Sequence, residues 1–237
     1  MTTIRLISFD LDNTVWPTDP VLRQAENEAF RWLQQRAPRL ASSHDLNSLR
    51  AHRQALMRQQ PAIAHDMTAV RLASLRLLLE AFEYPLALAD EAMAIFLRAR
   101  NRVTPYPDAP PVLETLAQTH RLVSLTNGNA DVTCTPLGPH FHFSLTAAGV
   151  GAAKPSPEMF LKALAQAGVE AGHSVHVGDD PHLDIHAARE VGMRAVWVNR
   201  EGASWPRELP PPDTAVRNLY ELIDWLALLP DQPLSVV

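Results

Sequence analysis

The sequence predicts an α/β protein: a parallel sheet covered by helices on both faces, interrupted early by a long all-helical insertion. Three observations predict it. A short apolar stretch, "TIRLISF" over residues 3–9, reads as a strand, and the segment from about Pro20 to Arg102 then reads as helix throughout. After the proline-rich "VTPYPDAPP" the pattern alternates between helix and strand. With 46% hydrophobic residues in 237, the chain can bury a full core.

Inside the insertion, Asp19 with Pro20, Asp45, Asp66 and Asp90 each stand where a helix N-cap would, so four helices are expected. Leu22, Ala25, Ala29 and Leu33 recur at helical spacing in the first, and Met67, Val70, Leu75, Leu78 and Leu79 form an apolar face in the third. Beyond the prolines, "VLETLAQ" reads as helix and "RLVSLTN" as strand; "SPEMFLKALAQAG" is a helix opened by Ser156 and Pro157, and "HSVHVGDD" a strand. "LDIHAAREVGM", "RAVWVN" and "VRNLYELIDWLALL" follow as helix, strand and helix. The expected organisation is a core of residues 1–16 and 104–237 around a four-helix insertion of 17–103.

Composition excludes several partners. A formal charge of −5 with only two lysines, Lys154 and Lys162, opposes nucleic acid held by a basic surface. No run of 18 apolar residues and no basic-then-apolar leader is present, so no membrane partner is expected and a cytoplasmic location is. The lone Cys134 cannot form an internal disulfide and is expected to pack as a small apolar residue. No feature specifies an oligomer.

The chemistry gathers at strand ends. Asp10 and Asp12, one residue apart after the first strand, repel each other and require a cation or a shared proton. Magnesium, which takes oxygen ligands and leaves coordination positions for substrate phosphate, is the economical answer. "VHVGDDPHLD" supplies Asp179, Asp180 and Asp184 after another strand. Thr126 ends a third strand with a hydroxyl, followed by Asn127 and Gly128, whose backbone N–H groups can face an anion. Lys154 precedes a helix N-terminus, where a cation and a positive dipole end both favour phosphate. In a parallel sheet these loops share the carboxyl edge. His182 and His186 are four apart, yet no third ligand at zinc spacing accompanies them, so they read as a solvated helix start. Trp16 and Trp197 read as packing residues.

Taken in order, "DLDNT", "TNG", "KPSP" and "GDDPHLD" resemble the four motifs of the haloacid dehalogenase (HAD) superfamily, in its magnesium-dependent phosphatase branch, and residues 17–103 resemble its C1 cap. The resemblance implies a Rossmann-like core and hydrolysis of a small-molecule phosphate ester through an aspartyl-phosphate. It implies Asp10 as nucleophile, Asp12 as acid and then base, and Thr126, the Asn127 backbone and Lys154 around the phosphoryl oxygens. Magnesium would be held by Asp10, the backbone carbonyl of Asp12 and Asp179, with Asp180 and Asp184 orienting those ligands. "HVGDD", "TNGNA" and "HDMT" are most similar to bacterial phosphatases of flavin mononucleotide (FMN) and of a phosphorylated ribitylaminouracil of riboflavin synthesis, although "TVWP" departs from that group's usual leucine and tyrosine. His65, Asp66 and Arg71 are nominated as the residues of the insertion that read the leaving group. Phosphonate cleavage in this superfamily needs a cap lysine, and residues 17–103 contain none. A phosphomutase, a broad sugar or nucleotide phosphatase and a non-catalytic phosphate-binding module remain as alternatives.

Overall fold

A computed structural model of the chain describes residues 3–229. The expected core thus extends at both ends, residues 1–2 and 230–237, outside the described residues. Along the chain the elements are β1 (Leu6–Phe9), α1 (Thr18–Arg36), α2 (Pro38–Ser43), α3 (Leu46–Gln59), α4 (Met67–Ala81), α5 (Ala87–Arg100), α6 (Ala109–Ala117) and β2 (Arg121–Thr126). There follow β3 (Phe143–Thr146), α7 (Ala147–Val150), α8 (Glu158–Ala167), β4 (Ser174–Gly178), α9 (Ala187–Glu190), β5 (Arg194–Val198), β6 (Thr214–Val216) and α10 (Leu219–Ala227). Two compact units result: residues up to Pro17, Thr104–Thr126 and those from Val132 on form one, and Thr18–Val103 with Asn127–Asp131 form the other.

The first unit is the α/β core. Its strands run parallel in the order β3-β2-β1-β4-β5-β6. β1 and β4 are buried along their whole length because helices cover both faces of the sheet; Val123, Leu125, Phe160, Ile185 and Trp197 belong to one buried cluster on the sheet. Strand order reverses at the β1–β4 pair, so the chain emerging from these two strands opens a crevice at their carboxyl ends. β3 and β6 were not expected from the sequence. Each is a short edge strand, of 4 and 3 residues, too brief for a period to register.

In the helical unit, Leu33, Leu40, Leu49, Leu79 and Leu88 are buried together. Asp45 caps α3 by accepting from Ser48 N at 2.7 Å, and Asp66 caps α4 by accepting from Thr68 N and Ala69 N at 2.9 Å, as expected. Asp19 and Asp90 are not caps. α1 already begins at Thr18 and α5 follows Leu86, which places both acids within first turns, where a carboxylate still faces the positive end of the helix dipole. The short α2 between the first and second expected helices is also additional. Among the described residues, no helix is long and apolar enough to cross a membrane.

Glu26 is the electrostatic centre of this unit. Its carboxylate, 6% exposed, takes Arg50 at 2.5 Å, Arg53 at 2.5 Å and Arg71 at 3.3 Å. Burial is the largest single influence and opposes its ionisation, but the Arg50 hydrogen bond and the charges of Arg71 and Arg53 together outweigh it and hold the carboxyl below the usual range. Removing the negative charge leaves guanidinium groups half or more buried without a counterion, so Glu26→Gln is expected to cost about 2 kcal/mol at neutral pH, less than a fully buried pair because Arg50 stays solvated. A depressed carboxyl contributes its stability above the unfolded pKa and loses it as pH falls through the folded one. The gap between wild type and Glu26→Gln in urea unfolding should therefore close on acidification below about pH 4; a gap that persists unchanged into acid would remove the ion-pair explanation.

Candidate active site

The site grows from the two strands at the crevice. β1 delivers Asp10, 7% exposed, whose backbone N–H donates to Val177 O at 2.9 Å and so ties the end of β1 to β4. β4 ends at Gly178 and hands the chain to Asp179 and Asp180. From Pro181 to His186 the chain makes wide π-type turns, with Ile185 N donating to Asp180 O at 3.2 Å, before tightening into α9. Those wide turns return Asp184 beneath the end of β4. Gly178 permits this: a Cβ there would lie 2.4 Å from the Asp184 carboxyl carbon.

Carboxylate oxygens of Asp10, Asp179 and Asp184 all lie within 4.8 Å of one another. Lys154, 3% exposed, reaches into the group and donates to Asp10 Oδ1 at 2.7 Å, Asp184 Oδ1 at 2.6 Å and Leu125 O at 2.9 Å. Its ammonium is thus ion-paired within the acidic cluster as well as preceding α8, which starts at Glu158. Burial, the largest influence, disfavours the charged lysine, yet the two carboxylates together raise its pKa above the ordinary value. Asp184 is pulled the other way: burial opposes its ionisation, and Lys154 with the His176 hydrogen bond overcomes that and keeps it ionised. Asp10 is raised well above the usual carboxylate range by burial and by the charges of Asp184, Asp179 and Asp12, against the pull of Lys154. Asp179 is pushed up to about 7 by burial and by Asp184. One ammonium does not neutralise three carboxylates. The residual negative charge on closely spaced hard oxygens fits a divalent cation such as magnesium.

Neighbouring groups fix these carboxylates in place. Thr14, wholly buried, donates to Asp179 Oδ1 at 3.3 Å, and the Trp197 indole donates to Asp179 O at 2.8 Å. Trp16, also wholly buried, donates through Nε1 to Asp12 Oδ1 at 2.9 Å. Both tryptophans thus do more than the packing expected of them: each holds an aspartate of the site by its indole N–H. Asp12 itself is half-buried, and its carboxylate is not a member of the three-acid set. Asp180 spends its carboxylate on capping, accepting from His182 N and Leu183 N at 2.8 Å, while its backbone N–H donates to Asp184 Oδ2 at 3.0 Å.

Thr126 ends β2 in the core unit, 1% exposed, whereas Asn127 opens the Asn127–Asp131 segment grouped with the helical unit. That segment is tied within its unit by Asn129 Nδ2 donating to Thr68 Oγ1 at 3.2 Å and by Asp131 N donating to Asn101 Oδ1 at 2.9 Å. Asp66 is a cap, Arg71 lies over the Phe96 ring at 3.8 Å with its hydrogen bond to Glu26, and His65 is half-buried in the turn before them. His182 is exposed and meets Glu208 at 3.8 Å, consistent with a solvated helix start. Cys134 is exposed, contrary to the packing expected of it, because it lies in a short surface helical turn, Val132–Cys134, whose buried member is Val132.

Sequence reasoning missed two residues of this region, Ser8 and His176, both fully buried among apolar strand neighbours. Their signal was a polar residue in the middle of "LISF" and of "VHV".

The haloacid dehalogenase-like hydrolase family model matches residues 4–192. Among curated proteins, the 5-amino-6-(5-phospho-D-ribitylamino)uracil phosphatase YigB of Escherichia coli is 35% identical over 218 residues, covering 88% of this chain and 90% of that protein. A solved structure described as a 2-haloacid dehalogenase from Pseudomonas syringae pv. Tomato has a TM-score of 0.89 at 40% identity, covering 95% of this chain and 99% of that one. A HAD phosphatase from Thermococcus onnurineus has a TM-score of 0.66 at 25% identity, covering 94% and 98%. With the Asp10–Lys154–Asp184 constellation at the crevice of a six-stranded parallel sheet, and a family match over most of its length, the chain belongs to the haloacid dehalogenase-like hydrolases.

Proposed function

We propose that the chain is a magnesium-dependent phosphatase of a small, soluble phosphate ester in the cytoplasm, with FMN or the ribitylaminouracil phosphate of riboflavin synthesis as candidate substrates. The observation that carries the reading is the close set of buried Asp10, half-buried Asp179 and buried Asp184, with Lys154 inserted at 2.7 and 2.6 Å from Asp10 and Asp184. The whole-length similarity to the Escherichia coli ribitylaminouracil phosphatase supports the substrate class.

In the mechanism, Asp10 attacks phosphorus through a carboxylate oxygen, forming an O–P bond as the bond to the leaving alkoxide breaks. Asp12, half-buried and held by Trp16 through one oxygen, delivers its proton to that alkoxide. In the second half, water attacks phosphorus, its proton passes to the Asp12 carboxylate, and the Asp10–phosphorus bond breaks to release inorganic phosphate. Lys154 and the Thr126 hydroxyl offset charge on the phosphoryl oxygens, with the Asn127 backbone N–H as a further donor. Asp10, the Asp12 carbonyl and Asp179 are the proposed magnesium ligands, with Asp184 and the Asp180 backbone holding that set together; the ion would polarise the phosphoryl group and neutralise its charge. Residues 17–103 are proposed to select the leaving group.

The 40% identity to a structure described as a 2-haloacid dehalogenase favours a second reading, displacement of halide by the same Asp10. The discriminating assay measures phosphate released from FMN, the ribitylaminouracil phosphate, sugar phosphates, nucleotides and p-nitrophenyl phosphate, and chloride released from 2-chloropropionate, each with magnesium or with chelator. Magnesium-dependent phosphate release, highest on a flavin-pathway ester, is the expected result. Chloride release without phosphate release would install the dehalogenase; equal feeble turnover of all esters would reject a dedicated flavin-pathway role, and transfer to a second hydroxyl in place of water would identify a mutase. No turnover of any kind would leave a phosphate-binding module.

A further inference from the structure

Ser8 in β1 and His176 in β4 are wholly buried and are direct register partners, so both project from one face of the sheet. Ser8 Oγ lies 2.8 Å from His176 Nδ1, and His176 Nε2 lies 3.2 Å from Asp184 Oδ1. The same Asp184 oxygen accepts from Lys154, which bonds Asp10. The Phe160 ring closes on the imidazole edge-to-face at 5.0 Å between centroids, so the heterocycle is shut away from water. A hydroxyl and an imidazole buried in two adjoining central strands are costly unless hydrogen-bonded, and here each is satisfied by the other and by Asp184.

We propose that Ser8 and His176 are positioning residues for the reaction: the Ser8 hydroxyl donates to Nδ1, which fixes the neutral Nε2–H tautomer and aims that N–H at Asp184, and Asp184 in turn holds Lys154 on Asp10. The alternatives are each worse. A ring carrying its proton on Nδ1 would turn an Nε2 lone pair against a carboxylate oxygen. A doubly protonated ring would bury a second cation facing the same carboxylate as the Lys154 ammonium. Ser8 has one other acceptor, Val175 O, but at 3.3 Å it is the longer contact. Neither residue reaches the reacting atoms; they act through Asp184, as outer partners of catalytic carboxylates do.

Only the kinetic arm of the test rests on the phosphatase reading. In the full-length protein, NMR of the imidazole nitrogens should find His176 neutral and protonated on Nε2 near neutral pH. Ser8→Ala should lose that single tautomer and lower kcat on p-nitrophenyl phosphate about tenfold with KM nearly unchanged, the size typical of outer-partner removal. His176→Gln, whose amide N–H can replace the Nε2–H donor, should keep clearly more kcat than His176→Leu, which serves as the arm to read if Ser8→Ala does not fold. An Nδ1–H or doubly protonated ring in the wild type overturns the proposal, as do an unchanged tautomer and kcat in Ser8→Ala or equal losses in the two His176 variants. Wild-type protein inactive on every phosphate ester would sink the phosphatase reading and leave the NMR arm to decide this one.

Discussion

Asp10→Asn is expected to lower kcat by about 10⁴-fold or more while leaving the fold and its thermal midpoint intact. The kinetic half follows from the role: an amide oxygen is a poor nucleophile and forms no aspartyl-phosphate. The stability half follows from the environment. Burial and three neighbouring carboxylates already disfavour the charged form of Asp10, so a neutral isostere relieves repulsion as much as it weakens the bond to Lys154. Steady-state kinetics and thermal unfolding on the same preparation check both halves. Turnover within tenfold of wild type would falsify the covalent step; a large drop in midpoint would show that Asp10 is also a structural anion.

Lys154→Met is expected to damage stability as well as turnover. The methionine matches the stem in length but leaves the ionised Asp184 facing Asp10 and Asp179 with no cation between them. Removing one partner of a buried pair costs about 3–5 kcal/mol, and the low end applies here because Asp10 can take up a proton. Lysine held above its ordinary pKa contributes stability that is complete below the unfolded value and is lost only as pH rises through the folded one. The lysine's own share of the difference between wild type and variant in denaturant unfolding should therefore persist through neutral pH and vanish only in strong alkali, while proton uptake by the acids left without their cation should narrow the gap on acidification. A cost under about 1 kcal/mol at neutral pH would mean that the cluster is effectively solvated. Turnover should fall by at least about a hundredfold, as for loss of a preorganised charge at the phosphoryl group.

Much of this architecture was legible in the chain, for physical reasons that differ from element to element. The core strands β1, β2 and β5 announced themselves as largely apolar runs because a parallel sheet buries both faces, β4 by valines alternating ahead of a glycine, and Asp45 and Asp66 announced α3 and α4 because capping is a local hydrogen bond. Asp10, Asp179 and Asp184 were legible from following strand ends, Lys154 from preceding a helix, and all four from the ordered motifs. What Asp180 and Lys154 do with their side chains was not, since each is decided by neighbours far along the chain: Lys154 meets Asp10 across 144 positions. The edge strands β3 and β6 carry too few residues for alternation to be measurable, and Asp19 and Asp90 show that an acid near a helix start does not tell the cap from the first turn. Ser8 and His176 escaped because a polar residue in an apolar run is read as noise until its cross-strand partner is known.

Gly178 sets a limit on how this protein can vary. Alanine at 178 would overlap the carboxyl group of residue 184, so the two positions share one parcel of space. Randomised libraries that sample 178 alone should return glycine almost uniformly among folded, active clones. Larger residues at 178 become admissible only alongside a shorter side chain at 184, and such pairs would forfeit the anion that keeps the buried ammonium at its post.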